Sequence, residues 1–208
     1  IVAGGGLAAH CAALQAAEGG AQVLMLEKEA QVGGSTVLSG GSFAFAGTDL
    51  QKSNRIEDSS ERLFDDLRRV GEYGNEEAIV RAYADHQLDT YHWLASHGVT
   101  FDKIFLAAGQ SVPRAHSRNP REVIEILSKR AAQSGRVTTR TSSPVRRLLR
   151  DGLEGPVQGV RIETDGKARA IRARCGVVLA CGGFSRNDQL LKLFAPSQSK
   201  THRAGGPG

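Results

Sequence analysis

Aromatic residues are scarce: one Trp, three Tyr and seven Phe make up 5% of the 208 residues. Lysine and arginine (27) outnumber aspartate and glutamate (22), giving a net charge of +5 and a pI near 9.4. The basic residues are densest from Arg136 to Arg174 and are not interleaved with aromatics. A single-strand nucleic-acid surface needs both, so nucleic acid is set aside as a partner. A solvated basic face, or an electropositive approach for an anionic small-molecule substrate, accounts for the charge. Cysteine is also rare. Cys11, Cys175 and Cys181 form no CxxC pair, which leaves no disulfide framework or zinc site and makes them buried packing residues of a reducing compartment. His86, His92 and His97 have no carboxylate partner repeated at ligand spacing, so no metal is expected. Long apolar runs are missing too: none approaches the ~20 residues that span a bilayer, and no signal-like segment precedes the first strand. The expectation is a cytoplasmic chain.

What the sequence does have is glycine. Ile1, Val2 and Ala3 form a short apolar run that stops at Gly4-Gly5-Gly6, and Leu7 to Glu18 follows with strong helix formers and no interior Gly or Pro. This is strand, tight turn, helix. The spacing Gly4-x-Gly6-x-x-Ala9 matches the dinucleotide fingerprint. One glycine permits the turn, the next lets the backbone approach a pyrophosphate, and a small third residue lets helix pack on strand. First-turn amides lack intrahelical partners and sit at the positive end of the macrodipole, so a diphosphate needs no basic side chain there. No lysine or arginine precedes Glu27. Val23 to Leu26 reads as a second buried strand ending at Glu27, about twenty residues past the glycines, where a carboxylate can accept hydrogen bonds from ribose hydroxyls. FAD and NAD both remain open on these residues alone.

Two further glycine-dense turns follow, Gly33-Gly34-Ser35-Thr36 and Ser39-Gly40-Gly41. With GGGLAA, LEK and GGSTVLSGG in place, the chain resembles the flavoprotein family of fumarate reductases and succinate dehydrogenases. That family includes soluble urocanate reductases and 3-ketosteroid Δ1-dehydrogenases. The resemblance implies FAD as cofactor, with Gly4, Gly6, Leu7 and Ala8 at its pyrophosphate, Glu27 at the adenosine ribose and Lys28 among the cofactor-binding residues. It places Gly33, Gly34, Ser35, Thr36, Ser39, Gly40 and Gly41 on the flavin side.

Downstream, Asp58 to Val70 reads as an amphipathic helix capped by Asp58, and Glu76 to His97 as a longer one. Arg114-Ala115-His116 precedes a third helix, whose start at Asn119-Pro120-Arg121-Glu122 carries an N-cap residue, Pro at N1 and Glu at N3. The segment resembles the family's Ser-x-x-Arg-x-His element. Arg114 and His116 are therefore candidates for holding a substrate carboxylate, with loop anchoring as the alternative. After His116 the family's Thr-Gly-Gly is replaced by Ser117-Arg118-Asn119-Pro120, a departure that weakens assignment to fumarate.

Val137 to Thr141 and Val145 to Leu149 read as a strand pair, with Val157 to Glu163 and Ala168 to Arg174 as two more, joined by turns at Asp151-Gly152 and Asp165-Gly166. Gly176 to Ala180 is uniformly apolar, as in a central parallel strand covered on both faces. By the resemblance, the backbone around Val145 faces adenine, and Ala180, Gly182 and Gly183 return the chain to FAD, with Cys181 where the family has Thr. A redox role for Cys181 has no second cysteine at CxxC spacing to support it. Arg203 to Gly208 resembles the start of a later FAD-contacting loop.

The fold expected is α/β, a Rossmann-like FAD/NAD(P)-binding fold with a parallel sheet, an antiparallel β-meander and a helical insertion. The division is a core of residues 1–48 and 136–208 and an insertion of 49–135. Ile1 is not a start methionine, and the chain reads as an incomplete FAD domain without its substrate-covering domain, so catalytic residues are unassigned. The activity implied is oxidoreduction across a carbon–carbon bond. Reduction of an unsaturated carboxylate competes with ketosteroid dehydrogenation, an NAD-dependent dehydrogenase and a non-catalytic flavin-binding fragment. The electron donor or acceptor is left open.

Overall fold

The computed structural model describes residues 1–152, 154–164, 166–185 and 187–198. The readings at Asp165 and at Arg203 to Gly208 lie outside them. The chain divides into two compact units: residues 1–39 with 124–208, and residues 40–123.

The first unit is built on a parallel sheet. Strand β1 (Val2–Ala3) leads through the glycines into helix α1 (Leu7–Glu18), and strand β2 (Val23–Leu26) returns beside β1. Ala9, Ala13 and Ala17 recur every four residues on one face of α1, all buried. Side chains this small let the helix lie close on the sheet, where they meet Val2, Val23 and Met25. Gly19 ends the helix, donating its amide to Gln15.

Strands β6 (Val137–Arg140) and β10 (Val178–Leu179) complete this sheet in the order β10-β1-β2-β6. The strand pair expected from Val137 to Leu149 does not form. β6 runs parallel to β2, Val23 opposite Val137, while β7 (Val145–Arg150) starts a separate sheet. A short link between two apolar runs looks like a hairpin locally, but the buried edge of β2 is the stronger partner for β6. The separate sheet is the expected meander, β7-β8-β9, with β8 at Val157–Thr164 and β9 at Lys167–Arg172. Its inner residues Val160 and Ile162 pack with Leu26 of β2.

The strand expected over Gly176 to Ala180 is shorter than its apolar run. Only Val178 and Leu179 are strand, they pair with β1 alone, and they are 46% and 61% exposed. The uniformly apolar run is at the sheet's edge among the described residues. Beyond it, helix α6 (Asp188–Phe194) starts where Asn187 accepts from the Leu190 amide.

The second unit holds more than helices. Strands β3 (Ser42–Ala44), β4 (Lys103–Phe105) and β5 (Ala115–Ser117) form an antiparallel sheet in the order β3-β5-β4. Three short helices and one long one accompany the chain's course: α2 (Asp49–Ser53) opens on a Thr48/Gln51 capping box, and α3 (Ser60–Val70) packs against α4 (Glu77–Ser96), with α5 (Pro120–Gln133) leading out of the unit. The cap of α3 is Ser59, which accepts from Arg62, and not Asp58. Asp58 is engaged elsewhere.

Candidate functional site

The Gly4–Gly6 turn stands at the carboxyl end of β1. Gly4 has φ +118°, a left-handed value that strains any other residue, and a Cβ there would collide with the Ala180 carbonyl. At Gly5 a Cβ would lie 2.7 Å from Glu27 Oε2. At Gly4 and Gly5 the turn therefore runs close-packed, between the β10 exit on one side and the β2 carboxylate on the other.

Helix α1 opens at Gly6 without a side-chain cap and without an acidic residue in its first turn. The Leu7 amide donates to Thr36 Oγ1 at 3.1 Å, and the Gly33 amide to the Gly5 carbonyl at 2.7 Å, so the second glycine turn braces the first. Ala8, in that first turn, is exposed. Glu27 is 5% exposed, and its Oε1 accepts from the Glu29 amide at 2.9 Å.

These groups surround two adjoining cavities. One, of about 390 Å³, is lined by Gly4, Gly5, Gly6, Leu7, Ala8, Glu27, Lys28, Gly34, Ser35, Thr36 and Leu179 to Gly183. The other, of about 430 Å³, shares Gly4, Glu27, Lys28 and Cys181 to Gly183, and adds Val145 with Pro144, Arg146, Phe184, Asn187 and Leu190. Thus Gly4, Gly6, Leu7, Ala8, Glu27, Lys28, Gly34, Ser35, Thr36, Val145, Ala180, Gly182 and Gly183 come together in space. Gly33 is buried beneath the turn it braces, and Ser39 is exposed, its hydroxyl donating to the Thr36 carbonyl. Gly40 and Gly41 begin the second unit, where the Gly41 carbonyl accepts from the Arg118 amide.

Sequence reasoning passed over Pro144, Arg146 and Leu190 at the second cavity. Their only signal was proximity to Val145 and Gly183. It also passed over His10. That ring is fully buried in α1, with Nδ1 2.9 Å from the Gly6 carbonyl and Nε2 2.8 Å from Ser128 Oγ of α5. Burial pushes its pKa down, against the opposing effects of the Gly6 hydrogen bond and the Glu27 charge.

Cys11 is partly buried, its thiol pushed up to about 11 by burial, as a packing residue should be. Cys175 and Cys181 are exposed, contrary to the packing role expected of them, and Cys181 lines both cavities. No cluster of metal-ligating side chains occurs among the described residues, and no helix among them is long and apolar enough to cross a membrane.

Arg114 and His116 belong to the second unit, and there both side chains are engaged within the fold, as the loop-anchoring alternative expects. Arg114 is 1% exposed; its Nε and Nη2 bind Asp58 at 2.8 and 2.6 Å, and its Nη1 binds Asp66. His116 is fully buried, with Nδ1 on the Arg114 carbonyl and Nε2 on Thr48 Oγ1, edge-on to Phe45, Tyr91 and Phe101. The guanidinium fork is filled by carboxylates of its own unit, and neither side chain presents a face to a ligand.

An uncapped helix start, a bare glycine turn and a buried carboxylate meet at one cavity, a donor set suited to a dinucleotide's diphosphate and ribose. The sequence profile described as the FAD binding domain matches residues 1–208. The chain belongs to the FAD-binding domain family. FAD is its cofactor.

A fumarate reductase (cytochrome) of Shewanella frigidimarina is 30% identical over 213 residues, covering all of this chain and 37% of the relative. This FAD-binding domain therefore spans little more than a third of that protein's length. The open conformation of a flavocytochrome c3 fumarate reductase superposes with a TM-score of 0.89 at 29% identity, over 96% of this chain and 36% of the other. The 3-ketosteroid-Δ4-(5α)-dehydrogenase of Rhodococcus jostii RHA1 in complex with 4-androstene-3,17-dione gives 0.85 at 30%, over 94% and 48%.

Proposed function

We propose that the protein carrying this domain is an FAD-dependent oxidoreductase that adds hydrogen across a carbon–carbon double bond of a small unsaturated carboxylate. The observation that carries the reading is the convergence of the bare Gly4–Gly6 turn, the uncapped start of α1 and the Glu27 carboxylate on one cavity. The similarity to a fumarate reductase supplies the reaction class.

In this reading, backbone amides at Gly6 and Ala8 hold the FAD diphosphate, stabilised by the helix start. Glu27 accepts hydrogen bonds from the adenosine ribose, and its charge disfavours a 2′-phosphate. Lys28, Val145, Arg146 and Asn187 bound the adenosine end, while Gly34, Ser35 and Thr36, followed by Ser39, Gly40 and Gly41, lead toward the flavin. When bound, FAD supplies hydride exchange between its ring N5 and one carbon of the substrate. The chain's own contribution is orientation: the rigid turn fixes the diphosphate, which fixes the flavin. The proton for the neighbouring carbon is not assigned to a residue of this chain.

A ketosteroid is the second substrate class, favoured by the similarity to the Rhodococcus dehydrogenase at equal identity. Two assays separate the readings. The full-length protein, freed of unbound cofactor, should retain flavin absorption bands and oxidise a reduced viologen dye on addition of fumarate or urocanate. Reduction of a separate, oxidised acceptor dye with a 3-ketosteroid as electron donor, and no response to unsaturated carboxylates, would replace the first reading with the second; loss of the flavin bands would remove both.

A further inference from the structure

We propose that His10 is a positioning residue for the diphosphate of FAD, holding the Gly6–Leu7 peptide in the orientation that the cofactor requires. The proposal rests on the assignment of the FAD diphosphate to the start of α1.

The geometry begins with an acceptor that carries two donors. The Gly6 carbonyl receives the His10 amide at 3.1 Å, the ordinary helical bond, and also His10 Nδ1 at 2.9 Å. A carbonyl can only accept, so Nδ1 bears the proton. Nε2 of the neutral ring is then an acceptor, and the Ser128 hydroxyl donates to it at 2.8 Å. Both ring nitrogens are spent and the side chain is fully buried, so the imidazole has no freedom to turn.

The Gly6 carbonyl and the Leu7 N–H share one rigid peptide plane. His10 holds the oxygen end, and Thr36 Oγ1 holds the N–H end at 3.1 Å. The neighbouring Gly5–Gly6 peptide is held at its oxygen by the Gly33 amide. With those two planes set, the remaining amides of the turn and first helical turn have fixed directions. Glycine confers none of this stiffness; a Gly4-Gly5-Gly6 run is the most pliable sequence available. A buried imidazole anchored on α5 through Ser128 provides it. The alternative, that His10 only fills space in the core, makes the same burial but assigns no value to the Gly6 hydrogen bond.

Two substitutions tell these apart because asparagine and glutamine copy different halves of histidine. In His10→Asn the side-chain amide sits near the Nδ1 position and keeps a donor for the Gly6 carbonyl while losing Ser128. In His10→Gln it sits near Nε2 and keeps Ser128 while losing Gly6. Affinity of the full-length apoprotein for FAD, ADP-ribose and adenosine is measured by calorimetry, and apoprotein stability by urea denaturation. His10→Leu and His10→Gln should weaken FAD and ADP-ribose by roughly three- to tenfold, the worth of one neutral hydrogen bond. His10→Asn should stay within about twofold of the parent. Adenosine, which has no diphosphate, should bind all four proteins alike. If Asn and Gln weaken FAD equally, or if affinity follows apoprotein stability across the set, His10 is a packing residue and the proposal fails. Gly4→Ala, which drives a Cβ into the Ala180 carbonyl, checks the underlying site separately. If it leaves FAD affinity unchanged, the site assignment itself is wrong.

Discussion

Arg114 shows how one residue can carry the chemistry of a ligand site and serve as core. Its guanidinium is hydrogen-bonded to two carboxylates inside the second unit, Asp58 in bidentate contact and Asp66 beside it. Desolvation pushes the Asp66 pKa up. The Ser111 amide, with Arg69, the Ser111 side chain and Arg114, outweighs it and holds the carboxyl below the usual carboxylate range. Arg114→Ala would leave the buried Asp58 without its cation and Asp66 with Arg69 alone, so urea denaturation should show a loss of about 3–5 kcal/mol. A loss under about 1 kcal/mol would mean that the fork is open to solvent, the condition for a substrate clamp. The sequence displayed the Arg and His but not their partners, which lie 48 and 56 positions away for Arg114 and 68 for His116. Residue type announces what a side chain can bind; only the fold says what reaches it first.

Among the elements, those specified by neighbouring residues were readable. The glycine turn, α1, β2 and the cap of α5 each follow from a local pattern. Strand partners did not, because pairing is decided by burial across the molecule. β6 chose β2 over β7, and β10, whose sequence is that of a covered strand, pairs with β1 alone among the described residues. Antiparallel β3, β4 and β5 are three residues each, too short to leave a period in the sequence. The edge has a measurable effect. One side of β10 is bonded to β1, and the other meets no strand among the described residues, with Leu179 61% exposed. Such an edge invites pairing with another chain. Leu179→Lys should raise the concentration at which this chain stays monodisperse in light scattering, with its helix content unchanged. Equal self-association in both forms would show that the edge is covered.

The molecule as a whole should respond to acid in two stages. His10 and His116 are buried with pKa values held below 6.5, first by desolvation, although the Gly6 and Arg114 carbonyls and the charges of Glu27 and Asp58 act the other way. Well above pH 6.5 both rings are neutral folded or unfolded, and they contribute no slope. Below it the unfolded chain takes up protons that the folded chain refuses, so stability falls with pH, by up to about 1.4 kcal/mol per pH unit for each ring. Asp66 acts later: its depressed folded pKa gives stability that is complete above its ordinary value of 3.8 and disappears as pH drops through the folded value. Urea midpoints at pH 7.5 and 5.0 should therefore differ, and His116→Gln should flatten part of the difference. Identical midpoints in the parent protein would show that the rings titrate freely.

The near-contact between Gly5 and Glu27 constrains how this protein can change. A methyl group at position 5 would lie 2.7 Å from Glu27 Oε2 and 3.1 Å from its Cβ, so the two positions cannot be altered independently. Alanine at 5 is admitted only if the Glu27 side chain turns aside, and in the proposed reading that turn withdraws the carboxylate from the ribose. Any mutational route that starts at position 5 thus meets a clash, and in the same reading any route that starts at position 27 first weakens the grip on the cofactor. The order of steps, and not only their sum, decides which neighbouring sequences can be reached.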